Sequence, residues 1–347
     1  MMDGSQKKGL EEQKKHLHIV TPLLESWTLS LAAGTTVFLK LENIQPTGSF
    51  KIRGIGHFCQ EVAKKGCKHF VCSSGGNAGV AAAYAARNLG IPATIVLPKG
   101  AHPALLRRLE REGAEVQMVG KVWDDANLKA QELVKMDGWV EVHPFDHPLI
   151  WKGHGSMIHE LKETLGTQPG AIILSVGGGG LLAGVVAGLK EVGWQDVPII
   201  AMETRGADCF NQAIRAGRLV TLPDITSLAK CLGAKTVAVR ALECVRECQI
   251  ISEVVDDKEA IEAIERFLGE CSGEVYFACG QMREATIQVH HLRVFENSPL
   301  LSKYFPAISP RPDIPLLSLD PLGLVLPSPY LSFTPQPFQE IIIASIK

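Results

Sequence analysis

The chain has 347 residues and a net charge of -2, and 46% of its residues are hydrophobic and 21% charged. This length suffices for two domains or one large domain, and the balanced charge excludes a nucleic-acid or anionic-membrane surface as the main function. We expect no signal peptide in the polar first sixteen residues and no transmembrane helix, and nine scattered cysteines favour a reduced, cytoplasmic setting.

Residues 1–16 are predicted to form a flexible arm, and a short strand is expected at 37–42. The stretch Gln-Pro-Thr-Gly-Ser-Phe-Lys-Ile-Arg-Gly then runs from Gln45 to Gly54. Ser49 is a candidate helix N-cap, which would place Lys51 in the first turn of a helix and direct its side chain into a cleft. Desolvation there would lower the pKa of the lysine and free its amine for Schiff-base chemistry, whereas the alternative is an ordinary solvated lysine.

A second small-residue stretch, Ser-Ser-Gly-Gly-Asn-Ala-Gly, covers residues 73–79 between a predicted strand (68–72) and an alanine-rich helix that ends near Leu89. Backbone amides at such a helix start bind anions, including carboxylates, and glycines allow a ligand to approach the main chain. The alternative is a tight turn that needs glycine for its geometry alone.

Strands and helices continue to alternate, which predicts parallel sheets covered on both faces. Strands are expected at 93–98, 114–119, 171–176, 197–203 and 249–255, and helices at 52–65, 103–112, 123–136, 154–165, 181–192, 211–217, 236–248 and 257–268.

Four consecutive glycines, Gly177 to Gly180, follow the apolar strand at 171–176 and precede a helix that begins at Leu181. Bare amides at the positive end of a helix dipole form a phosphate cradle. One interpretation is a dinucleotide site, because Gly178 and Gly180 fit that fingerprint and Glu203 lies where a ribose-binding carboxylate would be. This nicotinamide-dependent oxidoreductase hypothesis uses neither Lys51 nor the 73–79 loop.

The second interpretation uses all three stretches. An amine at Lys51, a carboxylate-sized anion loop at 74–77 and a phosphate cradle at 177–180 together match pyridoxal 5′-phosphate and an amino-acid substrate.

The same three motifs, in the same order, resemble the L-serine/L-threonine dehydratase family of fold type II (tryptophan-synthase-β-like) pyridoxal phosphate enzymes. The resemblance covers about residues 17–268. It implies an α/β fold of two parallel-sheet domains with the cofactor in the cleft between them. The small domain would span 42–147, the large domain 17–41 plus 148–268, and a divergent segment 269–347.

The resemblance also implies residue roles. Lys51 matches the Schiff-base lysine, and Phe50 the residue beside the pyridine ring. The remaining matches are the ring-hydroxyl partner Asn77, the substrate-carboxylate loop Ser74, Gly75, Gly76 and Asn77, the phosphate loop Gly177, Gly178, Gly179, Gly180 and Leu181, and a monovalent-cation (K⁺) site at Glu203, Ala207, Cys209 and Leu232. The implied activity converts L-serine to pyruvate and L-threonine to 2-oxobutanoate, with release of ammonia. The implied assembly is a cytoplasmic homodimer, without nucleic-acid or membrane partners.

Two departures from the family pattern are visible. Gly75 stands where related dehydratases have alanine and racemases have serine, which predicts slow turnover and no useful racemisation. The tail after Leu268 lacks the Cys-Gly-Gly turn whose side chain faces the pyridine nitrogen, and ten of the twenty prolines lie beyond residue 297. The sequence therefore also allows a catalytically impaired variant that lacks a core strand and has a binding role or none.

Overall fold

The computed structural model describes residues 16–121, 123–270 and 341–344. The predicted arm therefore lies almost entirely outside the described residues, as does most of the divergent tail. None of the described helices combines the length and apolar character needed to cross a bilayer.

The described residues contain ten strands, which form two sheets. In chain order the strands are β1 (Leu23–Glu25), β2 (Val37–Lys40), β3 (His69–Cys72), β4 (Ala93–Leu97), β5 (Glu115–Met118), β6 (Trp139–Glu141), β7 (Ala171–Ser175), β8 (Ile199–Thr204), β9 (Ile250–Val255) and β10 (Ile341–Ala344). The large sheet has the order β1-β2-β10-β7-β8-β9, and the small sheet has the order β5-β4-β3-β6. Every pairing is parallel except that of β1 with β2.

Ten helices in the described part of the chain cover these sheets. They are α1 (Trp27–Ala33), α2 (Lys51–Lys64), α3 (Asn77–Leu89), α4 (Pro103–Arg111), α5 (Trp123–Leu133), α6 (Pro148–Leu165), α7 (Gly180–Glu191), α8 (Cys209–Ala216), α9 (Val239–Cys244) and α10 (Asp257–Glu270). Short 3₁₀ turns occur at Glu42–Ile44 and Lys230–Leu232.

The central strands are apolar because both of their faces are covered. Every residue of β4, β7 and β8 is buried. One apolar cluster lies around β7, β8 and α7, and another lies around α3, β3 and β4. The alternation of strand and helix in the sequence therefore predicted the parallel α/β architecture correctly.

Close helix contacts fix the position of α2, which carries Lys51 at its first residue. A Cβ atom at Gly54 would lie 2.6 Å from the Ile150 carbonyl oxygen on α6, and a Cβ atom at Gly188 on α7 would lie 2.9 Å from the Gly155 carbonyl oxygen on α6. Real Cβ atoms do not approach that closely, so these crossings need glycine. These contacts fix the positions of α2, α6 and α7 relative to one another.

Several predicted boundaries need correction. Ser49 is not a helix cap, because Phe50 already has helical φ and ψ, and the Ser49 hydroxyl is buried without a hydrogen-bond partner among the described residues. The helix predicted at 154–165 begins at Pro148, and the one predicted at 236–248 is only Val239–Cys244. The strands β1 and β6 and the helix α1 were not predicted.

The expectation of a missing core strand is wrong. Strand β10, close to the C-terminus, pairs in parallel with β2 on one side and β7 on the other. Ile342 aligns with Phe38 and with Ile172, so the strand lies in the interior of the sheet. The divergent tail thus supplies a central strand itself.

Candidate active site

The amine of Lys51 lies at the carboxyl ends of the small-sheet strands. Helix α2 begins at Lys51, and Nζ donates a hydrogen bond of 2.7 Å to the Pro144 carbonyl oxygen, in the turn that follows β6. The amine also lies 5.4 Å from the ring centre of Phe50 and 6.0 Å from that of Phe145. Two aromatic rings and a carbonyl oxygen therefore surround the lysine.

Phe50 is buried and its ring meets the imidazole of His154 edge-on, with ring centres 5.1 Å apart. His154 is fully buried, and neither of its ring nitrogens has a hydrogen-bond partner among the described residues. Burial, followed by the positive charges of Lys51 and Arg53, lowers the pKa of His154 well below its ordinary value. The imidazole is therefore neutral and acts as an apolar neighbour of Phe50.

The glycine loop connects β7 to α7 and faces the same turn as Lys51. A Cβ atom on Gly178 would lie 2.3 Å from Cγ of Phe145, and one on Gly180 would lie 2.5 Å from the Phe145 carbonyl oxygen. Gly179 has a positive φ of 85°, which non-glycine residues rarely adopt. The main chain of the loop is therefore in contact with Phe145, and the first amides of α7 have no intrahelical acceptor.

The third predicted stretch lies between β3 and α3. Gly76 caps α3 and Asn77 is its first residue. Ser74, Gly75 and Asn77 are half-buried, Gly76 is exposed, and the Gly76 amide donates to the Ser74 hydroxyl over 3.4 Å. A Cβ atom at Gly79 would lie 1.8 Å from the Ser74 carbonyl oxygen, so only glycine allows the loop to pack this closely against the helix. Amides at this helix start are suited to a carboxylate.

Glu203, one of the four residues predicted to hold a cation, has a buried carboxylate. Its two oxygens accept hydrogen bonds from the amides of Phe210 (2.9 Å) and Asn211 (2.7 Å) at the start of α8. Burial raises the pKa of the Glu203 carboxyl to about 8. Because the carboxylate binds α8, it does not lie free at the strand end, as a ribose-binding residue would.

Two further contacts connect the Glu203 region to the glycine loop. The Cys209 thiol lies 3.6 Å from the Gly177 carbonyl oxygen, and a Cβ atom on Gly177 would lie 3.0 Å from the Leu232 carbonyl oxygen. Ala207 is also buried. The described residues contain no cluster of three His, Cys, Asp or Glu side chains that could hold a metal ion. Any cation here would depend on main-chain oxygens and one carboxylate.

The sequence interpretation missed the turn from His143 to Asp146. The signal was present, since a His-Pro-Phe-Asp stretch follows a short strand and Pro148 occupies the first turn of the next helix. This turn contacts both Lys51 and the glycine loop. The turn brings the lysine and the glycine loop together, and because β3 and β6 pair in parallel, the loop after β3 lies at the same edge of the small sheet as the turn after β6.

A lysine amine beside a glycine loop at a helix start is typical of enzymes that bind a phosphate-bearing aldehyde. A family model described as "Pyridoxal-phosphate dependent enzyme" matches residues 15–286. The chain is 68% identical over 279 residues to human "Serine dehydratase-like", covering 80% of this chain and 84% of that one. It is 59% identical over 265 residues to human "L-serine dehydratase/L-threonine deaminase", covering 76% and 81%.

Among solved structures, the chain is similar to a fungal L-serine ammonia-lyase from Rhizomucor miehei. The TM-score is 0.77 with 33% sequence identity, and the match covers 94% of this chain and 93% of that chain. The chain belongs to the pyridoxal-phosphate-dependent enzymes of fold type II, within the serine dehydratase group. The resemblance and the fold class predicted from the three motifs are therefore confirmed.

Proposed function

We propose that the chain converts L-serine to pyruvate and ammonia, and L-threonine to 2-oxobutanoate and ammonia. Relatives with these activities in their names support the proposal. The observation that carries it is that the Lys51 amine and the glycine loop Gly177–Gly180 both contact the turn around Phe145. An aldehyde bound at Lys51 and a phosphate bound at the loop can belong to one molecule.

In this proposal Lys51 binds the aldehyde of pyridoxal 5′-phosphate, and Gly177, Gly178, Gly179, Gly180 and Leu181 bind its phosphate. When bound, the cofactor supplies an electron-accepting ring that stabilises negative charge on the substrate α-carbon. Phe50 covers one side of the ring position and excludes water, and Asn77 donates to the ring hydroxyl. Ser74, Gly75 and Gly76, with Asn77, orient the substrate carboxylate at the N-terminus of α3.

Lys51 has a second role in the proposal. With an amino-acid substrate bound, its amine would be free and would remove the proton from the substrate α-carbon. The Pro144 carbonyl oxygen, 2.7 Å from Nζ, would keep the free amine in place.

Gly75 supports the proposal of slow turnover. A Cβ atom at this position would lie 2.8 Å from Cδ2 of Leu97 and 3.1 Å from Cδ2 of Leu105. An alanine methyl group would press on these two leucines behind the loop and restrict its movement. We expect Gly75→Ala to raise serine turnover severalfold and to produce no D-serine, because neither residue carries a proton to donate.

The proposal has three further parts. A K⁺ ion binds at Glu203 with oxygens of Ala207, Cys209 and Leu232. The protein is a cytoplasmic homodimer, and each chain divides into a small domain at 42–147 and a large domain around it. Burial raises the pKa of the Glu203 carboxyl to about 8, so a cation bound beside it would stabilise the charged form. Comparing activity in K⁺ with activity in tetramethylammonium tests the ion, and sedimentation of the purified protein tests the dimer.

The test of the main proposal combines the visible absorbance of the purified chain with an assay for 2-oxo acid from serine and threonine. Wild type is expected to be yellow and active, and Lys51→Ala to lose both properties. Lys64→Ala is the control, since Lys64 lies on the same helix but is exposed and pairs with Glu61. A yellow wild-type protein without turnover would instead support the catalytically impaired variant, and turnover in Lys51→Ala would overturn the assignment of the lysine.

A further inference from the structure

The turn from His143 to Asp146 is shaped by one imidazole. The Nδ1 atom of His143 accepts hydrogen bonds from the amide of Phe145 over 3.2 Å and from the amide of Asp146 over 2.7 Å. The ring of His143 also meets the Phe145 ring edge-on, with centres 4.8 Å apart. A side-chain acceptor that binds amides two and three residues ahead is a local device that fixes a turn.

This turn makes three contacts that matter for the cleft. Its Pro144 carbonyl oxygen accepts from Lys51 Nζ, its Phe145 ring lies against Gly178, and the Phe145 carbonyl oxygen accepts a hydrogen bond of 3.0 Å from the Trp151 indole on α6. The turn directly follows β6 of the small sheet and precedes α6, which packs against the large-sheet helix α7. The direction of the Pro144 carbonyl group therefore depends on how the turn is held.

We propose that His143 is a positioning residue for Lys51, because its imidazole fixes the turn that presents the Pro144 carbonyl oxygen to the lysine amine. The inference rests on the proposed function, since it assigns a place to the amine after the substrate has displaced it. A carbonyl oxygen at 2.7 Å holds the released amine beside the cleft, so that the proton it takes from the substrate travels a defined, short distance.

The protonation state of His143 agrees with this role. Burial, then the positive charge of Lys51, then His147 lower the pKa of His143 to about 4. The imidazole is neutral near neutral pH, so Nδ1 has a lone pair for the two amides and the proton is on Nε2. A charged imidazole would have no acceptor and would repel the lysine.

The experiment compares His143→Ala with His143→Asn in the full-length holoprotein. Asparagine has a side-chain oxygen that accepts from the same two amides, as in an Asx turn, whereas alanine has no acceptor. His147→Ala is the matched control, because His147 Nδ1 makes the same kind of bond to the Leu149 amide without contacting Lys51. Thermal unfolding of every variant separates loss of function from loss of fold.

We expect His143→Ala to lower kcat for serine by about tenfold with KM changed by less than about twofold, because positioning of the amine acts on the step after binding. His143→Asn is expected to recover most of kcat, and His147→Ala to retain it. Equal losses in His143→Ala and His147→Ala, or no recovery with asparagine, would overturn the proposal. If the smaller side chain prevents folding, His143→Leu fills the same volume without an acceptor and replaces it.

A second readout does not depend on turnover. After removal of the cofactor, pyridoxal phosphate is added back and reduced at timed intervals with borohydride, and labelling of Lys51 is followed by mass spectrometry. His143→Ala is expected to label severalfold more slowly than wild type, and His143→Asn at the wild-type rate. Normal labelling in all variants would overturn the role of His143. Slow labelling in His143→Ala together with an inactive wild type would support His143 and reject the proposed reaction.

Discussion

The guanidinium of Arg53 forms a two-point ion pair with the carboxylate of Glu42 inside the protein. Its Nε atom lies 2.7 Å from Oε2 and its Nη2 atom 2.7 Å from Oε1. The same guanidinium contacts both oxygens of Glu160 on α6, at 2.5 Å and 2.8 Å. Lys40 completes the group with a bond of 2.5 Å to Glu160. These four side chains are all buried, and Arg53 lies two residues beyond Lys51.

This buried ion-pair group joins β2, the 3₁₀ turn at 42–44, α2 and α6. Burial alone would raise the pKa of the Glu160 carboxyl, but Arg53 and Lys40 hold it below its usual value. Removing Arg53 would leave two carboxylates without their main partner in a water-poor interior.

We expect Arg53→Met to lower the free energy of unfolding by about 3–5 kcal/mol, and Arg53→Lys to recover only part of this loss, because lysine cannot form the two-point contact. Urea unfolding measures both changes. Arg205→Ala is the control, since solvent screens the exposed Arg205–Asp256 pair and its loss should change the stability little. Similar losses at Arg53 and Arg205 would show that the buried group does not stabilise α2.

The pKa of His154 predicts how stability depends on pH. Because the folded state keeps this imidazole neutral and the unfolded state does not, the folded protein binds fewer protons below about pH 6.5. The contribution of the neutral His154 to the free energy of unfolding is complete above that pH. It is lost as the pH falls, at about 1.4 kcal/mol per pH unit. His154→Leu should flatten this slope in urea unfolding from about pH 7 to about pH 5, although His18 and His143 keep part of it. An unchanged slope would contradict the assignment.

The glycine loop predicts a clear difference between two glycines with positive φ. Gly179→Ala should weaken cofactor binding more than about tenfold, since its Cβ would lie 2.4 Å from that of Ala241 and distort the cradle. Gly193→Ala, with φ of 74° and open space around it, should cost only about 1 kcal/mol of stability. Titration of pyridoxal phosphate into the two apoproteins, followed by absorbance, measures the difference. Equal affinities would argue that the loop does not bind the phosphate.

Strand β10 gives the fourth prediction. Its backbone binds two neighbours, so a chain that ends at Glu340 should lose at least about 3 kcal/mol of stability through the lost ladder on both sides. Ile342→Pro should act in the same direction, because proline removes a donor from a central strand. A chain without residues 345–347 is the control. Circular dichroism during thermal unfolding measures the effect, and an unaffected truncated chain would show that the strand is dispensable.

The sequence predicted those parts of the structure that depend on local pattern. Apolar runs predicted β4, β7 and β8, and the three small-residue motifs predicted the stretches that form the cleft. Strand β6 was missed because it has three half-buried residues, and the start of α6 because Pro148 was not treated as a first-turn residue.

Contacts between residues that are far apart in the sequence could not be predicted from any local pattern. Nothing in the spacing of Arg53 and Glu160 indicates that they meet, and the same is true of Lys51 and Pro144, which lie 93 positions apart. Four apolar residues after a proline-rich stretch likewise do not indicate a central strand. Ser49 failed as a cap for the opposite reason, because local preference was overridden by the helical geometry of Phe50.

The position of β10 has a consequence for synthesis on the ribosome. Its neighbours β2 and β7 are both translated before it. Until β10 has been made, the large sheet has a gap with two open strand edges, and closing that gap brings together segments that are far apart in the sequence. The large sheet is therefore expected to be completed after the small sheet at residues 69–141, which can form earlier.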